Sequence, residues 1–239
     1  MPQIISYIKN RINLIERIFY LRIYINPKLE KNIVNLFHRL YYDSYLFNST
    51  WKKTFWLGVP ILKCPLDLWN YQEIIFETKP DLIIETGTAE GGSAFFLASL
   101  CDLIKNGNII SIDIIKNEKR PKHKRIKYLN GSSISDEIVN KVKNEVKKYN
   151  KVMVILDSDH HKEHVYKELK IYSEFVSKGC YLIVEDTNIN GHPVFPDFGP
   201  GPMEAVMQFL KENKNFVIDK NREKFLLTFN PMGYLLRIK

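Results

Sequence analysis

Residues 82–96 read LIIETGTAEGGSAFF, and this stretch decides the fold. A short apolar run, Leu82-Ile83-Ile84-Glu85, leads straight into Thr86-Gly87-Thr88-Ala89-Glu90-Gly91-Gly92-Ser93, and a helical segment follows near 92–104. A continuous apolar run reads as a strand covered on both faces, as in a parallel sheet. The glycines allow a tight turn and close backbone approach, and the helix start offers unpaired N–H groups. The same pattern recurs outward from this unit, with apolar runs IISID at 109–113, RIKYL at 125–129, VMVIL at 152–156 and YLIVE at 181–185. Helical segments near 134–149, 162–176 and 202–213 separate the later ones, the first with Ile134, Ile138, Val142 and Val146 at i, i+4 spacing. Strand–helix alternation predicts an α/β, doubly wound, Rossmann-like parallel sheet. The end differs: FVIDK at 216–220, FLLTF at 225–229 and YLLRI at 234–238 surround the turn residues NPMG, with no helix between them. That pattern predicts an antiparallel pair closing the sheet, an antiparallel C-terminal edge strand.

The chain has 239 residues, a length for one domain with an N-terminal extension, divided here as 1–50 and 51–239. Apolar residues make up 45% and charged residues 26%, enough to fill a core and to exclude global disorder. With 35 basic and 27 acidic residues the formal net charge is +8, which a solvated lysine-rich surface explains without a nucleic-acid partner. Cys64, Cys101 and Cys180 are odd in number and form no CxxC pair, which fits buried thiols in a reducing, cytoplasmic compartment. No apolar run approaches the roughly 18 residues that span a bilayer. At the start, Ile4, Ile8, Ile12, Ile15 and Phe19 recur at helical spacing among Lys9, Arg11, Glu16, Arg17 and Arg22. This amphipathic helix is expected to pack on the domain, or on a second subunit in a homo-oligomer, in preference to an anionic membrane surface. A second helix, roughly 29–47, carries Phe37, Tyr41, Tyr42, Tyr45 and Phe47, and a third, about 66–78, ends at Pro80.

In such a sheet ligands sit beyond the carboxyl ends of the strands. The glycine turn after the first strand fails the Walker A test, because Ser93-Ala94 stands where Lys-Ser/Thr is needed. It meets the dinucleotide pattern only if Ala89 replaces the middle glycine, the position where backbone approaches a pyrophosphate, so a nucleoside fits better than NAD. Asp113, 21 residues past Gly92, stands where an acidic group accepts ribose hydroxyls. Asn130-Gly131-Ser132-Ser133 reads as an N-cap or an adenine contact. The next two strands end in Asp157-Ser158-Asp159-His160-His161 and Glu185-Asp186-Thr187-Asn188, and carboxylates brought together this way call for a neutralising cation. Few carboxylates completed by waters suit Mg²⁺; no cysteine or spaced second histidine completes a zinc set. The loop at 190–202, rich in Pro and Gly around His192, reads as an ordered flap able to meet an acceptor.

Together, IIETGTAEGGSAFFLA, IDI, LNGSS, LDSDHH, VEDTNINGHP and GPGPMEAV resemble the cephalosporin hydroxylase family, from about Trp51 to the C-terminus. Despite that name, its members have the class I S-adenosylmethionine-dependent methyltransferase fold and are similar to rhamnosyl and macrolide-sugar O-methyltransferases. The resemblance implies an S-adenosylmethionine site at Glu85, Gly87, Asp113 and Ser133, with Thr88, Gly91, Ser93 and Asp157 beside it. It implies Mg²⁺ at Asp157, Glu185 and Asp186, and a catalytic base at Asp159 or His160, with the roles of Asp157 and Asp159 exchangeable. The expected activity is Mg²⁺-dependent methyl transfer to a hydroxyl of a sugar or small natural product, the small-molecule or glycan acceptor. The alternatives are a non-catalytic nucleoside-binding interaction protein of the same fold and an NAD-dependent oxidoreductase.

Overall fold

The computed structural model describes Ile12, Leu14, Glu16, Arg17, residues 26–43 and residues 50–239. Most of the first expected helix, including Ile4, Ile8, Ile15 and Phe19, lies outside the described residues, as do Tyr45 and Phe47. The second helix, α1 (Pro27–Tyr42), begins with Pro27 in the first turn and with the Asn26 side chain accepting the Leu29 N–H at 2.9 Å. A small hairpin, β1 (Phe55–Trp56) and β2 (Val59–Pro60), turns through Leu57 and Gly58. Helix α2 (Pro65–Thr78) stops at Lys79, in the left-handed region just ahead of Pro80.

The alternating pattern then unfolds as read: β3 (Leu82–Thr86), α3 (Gly92–Leu103), β4 (Asn108–Asp113), β5 (Ile126–Asn130), α4 (Asp136–Val146), β6 (Val152–Leu156), α5 (Lys162–Tyr172), β7 (Tyr181–Val184), α6 (Pro202–Glu212), β8 (Phe216–Ile218) and β9 (Tyr234–Arg237). The seven larger strands form one sheet in the order β5-β4-β3-β6-β7-β9-β8. Pairing is parallel from β5 to β7, and β9 runs antiparallel to both of its neighbours. The last strand therefore inserts between β7 and β8, and β8 forms the edge. Residues 225–229, expected as a strand, form none. The Phe229 N–H and the Thr228 hydroxyl donate to the Asp67 carboxylate at 2.8 and 2.5 Å, so a side chain satisfies the Phe229 N–H instead of a neighbouring strand.

The sheet is covered on both faces, which explains the continuous apolar runs. Leu82, Ile84, Val154, Leu156 and Val184 point to the face covered by α4, α5 and α6, while Ile83, Met153, Ile155 and Ile183 point to α2 and α3. Every residue of β3, β6 and β7 is buried, each large side chain contributing about 1.5–3 kcal/mol. Connections run one way from β3 to β4 and β5 and the other way from β6 to β7, which opens a crevice beyond the carboxyl ends of β3 and β6.

Asp67, on α2, also accepts the Tyr234 hydroxyl at 2.8 Å, tying the C-terminal strand to the helix. Burial pushes its carboxyl up to about 7 from an ordinary 3.8. Between those values the folded chain holds a proton that the unfolded chain releases, so this group's contribution to stability falls as pH rises from about 4 to about 7. Thermal unfolding across that range should show a negative slope in the parent that is shallower in Asp67→Asn; identical slopes would remove Asp67 as its source.

Candidate active site

Sequence alone justified the glycine turn by a ligand; the structure gives its glycines a packing reason. A Cβ on Gly87, whose φ is +83°, would lie 1.7 Å from the Asp157 carbonyl oxygen, and one on Gly92 would lie 2.1 Å from that of Pro60. Gly91 also has a left-handed φ, of +84°, and Ser93 is buried in the first turn of α3. The turn is fastened from β4. Asp113 Oδ2 accepts the N–H groups of Thr88 and Ala89 at 3.0 and 2.9 Å, and its Oδ1 accepts that of Ile115 at 2.8 Å. Arg120 lies 3.1 Å from the same carboxylate and donates to the Ala89 carbonyl at 2.8 Å. Ala89 has φ +45°, a conformation costly for a residue with a Cβ, and these bonds on both sides of it hold it there.

Glu85 is fully buried at the end of β3. Its Oε2 accepts the Ser111 hydroxyl at 2.7 Å, and Ser93 is a second hydrogen-bonding neighbour of the carboxylate. Burial raises its pKa, against the pull of Lys63. The helix after β5 is capped by Ser135, not by residues 130–133. Ser133 is left to face His164 at 3.3 Å, and Ser158 lies 3.2 Å from the same imidazole nitrogen. The buried Glu168 beside His164 raises the imidazole pKa by hydrogen bonding.

Asp157, His160 and Asp186 converge, each offering one ligand atom within 4.8 Å of the other two. His160 Nε2 stands 3.2 Å from Asp186 Oδ2, and Asp186 leaves the sheet with φ +53°. Glu185 does not join them. Its Oε1 accepts the ammonium of Lys63 at 2.7 Å and the hydroxyl of Tyr71 at 2.7 Å, and Lys63 reaches Asp157 Oδ2 at 2.5 Å. Burial raises the carboxyls of Asp157 and Glu185, with Lys63 opposing both shifts. Burial would lower the Lys63 ammonium, but the two carboxylates outweigh it and hold the pKa up. Asp159 also stays apart: it is half-exposed and its Oδ1 accepts the backbone and ring N–H of His161 at 2.8 and 2.7 Å.

Two adjoining cavities meet at this cluster. The larger, about 550 Å³, is walled by Ile112, Ile114, Ile115 and Phe198, with Asp113, Ser132, Ser133, Ser158, Asp159 and the imidazoles of His160, His161 and His164 as polar groups. The smaller, about 350 Å³, runs from Trp51 and Pro60 past Thr88 and Ser93 to Asp157, His160 and Asp186. Gly87, Asp113, Ile115, Ser158 and His160 line both. The loop expected as a flap is ordered. His192 and Asn190 bind the Glu204 carboxylate at 2.8 and 3.1 Å, Arg39 of α1 donates to the Pro193 carbonyl at 3.0 Å, and Phe198 meets the His161 ring at 5.1 Å. His192 is thus tied to α6 and lines neither cavity; Phe198 is the loop residue that covers the larger one.

The family model described as rhamnosyl O-methyltransferase/CmcI matches residues 48–238, nearly all of the chain from the hairpin onward. The rhamnosyl O-methyltransferase of Mycobacterium tuberculosis (strain ATCC 25618 / H37Rv) is 39% identical over 208 residues, covering 84% of this chain and 83% of that protein. That of Mycobacterium leprae (strain TN) is 37% identical over 212 residues, covering 86% and 91%. Among solved structures, CmcI with Mg and SAM superposes with a TM-score of 0.61 at 18% identity, over 79% of this chain and 78% of that one, a likeness of fold. The glycine turn, the Asp113 anchor and the carboxylate-bearing strand ends all fall inside the matched span, and the chain belongs to the rhamnosyl O-methyltransferase/CmcI family.

Proposed function

We propose that this chain is an O-methyltransferase that moves a methyl group from S-adenosylmethionine to a sugar hydroxyl, aided by a divalent cation such as Mg²⁺, with residues 51–239 as the catalytic domain. The observation that carries the reading is the convergence of Asp157, His160 and Asp186 at the junction of two cavities, one fit for a nucleoside and one for an acceptor. The larger cavity suits the donor by its chemistry. Isoleucines and Phe198 offer apolar walls to a flat base, Asp113 stands at its edge, and Ser132 and Ser133 supply polar contacts. The cluster suits a hard dication, with carboxylate oxygens from Asp157 and Asp186 and side chains exposed enough, at 23% and 21%, to leave room for water and substrate oxygens.

When bound, the donor supplies an electrophilic methyl on a sulfonium, and the cation lowers the pKa of an acceptor hydroxyl. The remaining work belongs to the chain. Asp157 and Asp186 would hold the cation, and the Gly87 turn, fastened by Asp113 and Arg120, fixes where the donor lies relative to them. His160 Nε2 takes the hydroxyl proton as base, and Asp186, 3.2 Å away, stabilises the imidazolium that forms. Phe198 and the flap exclude water. A second reading, with His160 as third ligand, rests on its 4.8 Å convergence with the two carboxylates.

The sugar acceptor rests on the rhamnosyl O-methyltransferases at 37–39% identity. Incubation with S-adenosylmethionine, Mg²⁺ and a panel of rhamnosides and other deoxysugar glycosides should add one methyl to a sugar hydroxyl, read by mass spectrometry and NMR. Methylation at nitrogen, or of non-sugar phenols only, would refute the acceptor class. On the donor side, Asp113→Ala should weaken S-adenosylhomocysteine binding about tenfold or more by calorimetry, because it loses charge-assisted hydrogen bonds and frees the Thr88-Ala89 turn. Unchanged affinity would remove Asp113 from the donor site.

A further inference from the structure

The smaller cavity has two unlike ends. One holds the carboxylate cluster, and the other is built from Trp51, Pro60, Ile61 and Leu62, all from the segment ahead of α2. Trp51 stands on a 3₁₀ turn, Thr50–Lys53, between α1 and the β1–β2 hairpin. Its half-buried indole is held on several sides. The indole N–H donates to the Tyr42 carbonyl at 3.2 Å, the Tyr42 ring stacks on it at 5.3 Å, and Phe229 meets it edge-on at 5.9 Å. The Thr54 hydroxyl fastens the turn by donating to the Trp51 carbonyl at 2.8 Å. Because the one indole donor is spent on Tyr42, what Trp51 offers the cavity is ring carbon. The exposed Lys52 ammonium lies 5.2 Å from the ring centroid, a solvent-facing contact that a ligand can replace. Trp51 does not line the larger cavity.

We propose that Trp51 is the acceptor platform, a specificity-determining residue supplied from outside the parallel sheet. A C–H face of the sugar packs on the indole while a ring hydroxyl on its far side reaches the carboxylate cluster. The inference rests on the reading that the smaller cavity takes a sugar acceptor. A sugar ring is amphipathic, with hydroxyls around its rim and C–H groups on its faces, so it matches a cavity apolar at one end and charged at the other. Trp51 is the aromatic member of the apolar end. Tyr42 and Phe229 already fix its ring, so little side-chain freedom is lost when the sugar settles on it. Trp51 takes no part in proton or methyl transfer. Its contact is the same in the ground state and the transition state, so its loss should appear in KM and not in kcat.

The test is steady-state kinetics of the full-length protein with S-adenosylmethionine, Mg²⁺ and the smallest rhamnoside or other deoxysugar glycoside that the parent methylates. Trp51→Leu, which keeps apolar bulk without a ring, should raise KM for the glycoside about fivefold or more, with kcat within about threefold of the parent. Trp51→Phe, which restores a ring, should bring KM back to within about threefold of the parent. Calorimetry should give parent and variants the same affinity for S-adenosylhomocysteine, which also shows that they are folded. Should Trp51→Leu fail to fold, the parent labelled with 5-fluorotryptophan decides. Glycoside added to its S-adenosylhomocysteine and Mg²⁺ complex should shift one of the three ¹⁹F resonances, the one missing from Trp51→Phe. A smaller rise in KM for Trp51→Leu, a loss carried by kcat, Trp51→Phe as impaired as Trp51→Leu, or an unmoved Trp51 resonance would overturn the platform and leave the methyltransferase reading intact. A parent that methylates no glycoside would overturn the sugar acceptor and this inference with it.

Discussion

Stripping divalent cations with EDTA should reduce methyl transfer to background, and Asp186→Asn should lower turnover by at least about a thousandfold with Mg²⁺ present. A metal-held hydroxyl gains several kcal/mol of transition-state charge stabilisation, and each 1.36 kcal/mol is about tenfold in rate. Asp186 also faces His160 at 3.2 Å, so in the proposed mechanism its carboxylate would serve the cation and the base together. Donor affinity should survive both treatments. The larger cavity, where the nucleoside would lie, includes neither Asp157 nor Asp186 in its walls. Calorimetry with S-adenosylhomocysteine should therefore give nearly the same affinity with and without EDTA. Full turnover in EDTA would sink the metal-assisted mechanism, and loss of donor binding would place the cation elsewhere.

The second large effect is expected at His160. Replacing it by alanine should lower turnover by roughly 10²–10⁴-fold, the range for a positioned general base, with Mn²⁺ and S-adenosylhomocysteine binding retained. Asp159→Asn should stay within a few-fold of the parent, because Asp159 is half-exposed and committed to His161. The reverse pattern would transfer the base to Asp159. If His160→Ala also lost Mn²⁺ binding, His160 would be a ligand and the acceptor proton would leave by another route.

The parallel sheet was legible because its strands are buried on both faces, so LIIE, VMVIL and YLIVE stand out as unbroken apolar runs. The strand ends that carry Asp113, Asp157 and Asp186 were legible for the same reason, since topology alone sends them to one edge. What sequence could not resolve was side-chain direction. Glu185 and Asp186 are neighbours, yet Glu185 turns to Lys63 and Tyr71 while Asp186, in the left-handed region, turns to His160. Lys63 was missed because a lysine reads by default as solvated; its one signal was a setting, Ile61-Leu62-Lys63-Cys64-Pro65, with no other charge. Arg120 gave no signal, because its partners Asp113 and Ala89 lie on other elements. The FLLTF run looked like a strand by composition, but Leu227 and Phe229 are buried beside Cys64, and Asp67 accepts the Phe229 N–H that a partner strand would have taken.

Calorimetry of the protein against S-adenosylmethionine and NAD, side by side and with and without Mg²⁺, tests the central claim most directly, because it needs no knowledge of the acceptor. The turn at Gly87–Ser93 has Ala89 where a pyrophosphate would need glycine, and Asp113 together with Ser133 lines a cavity of nucleoside size. One S-adenosylmethionine should bind per chain, with or without Mg²⁺, and NAD should give no saturable heat. Saturable NAD binding with none for S-adenosylmethionine would contradict the assignment of this chain as a methyltransferase.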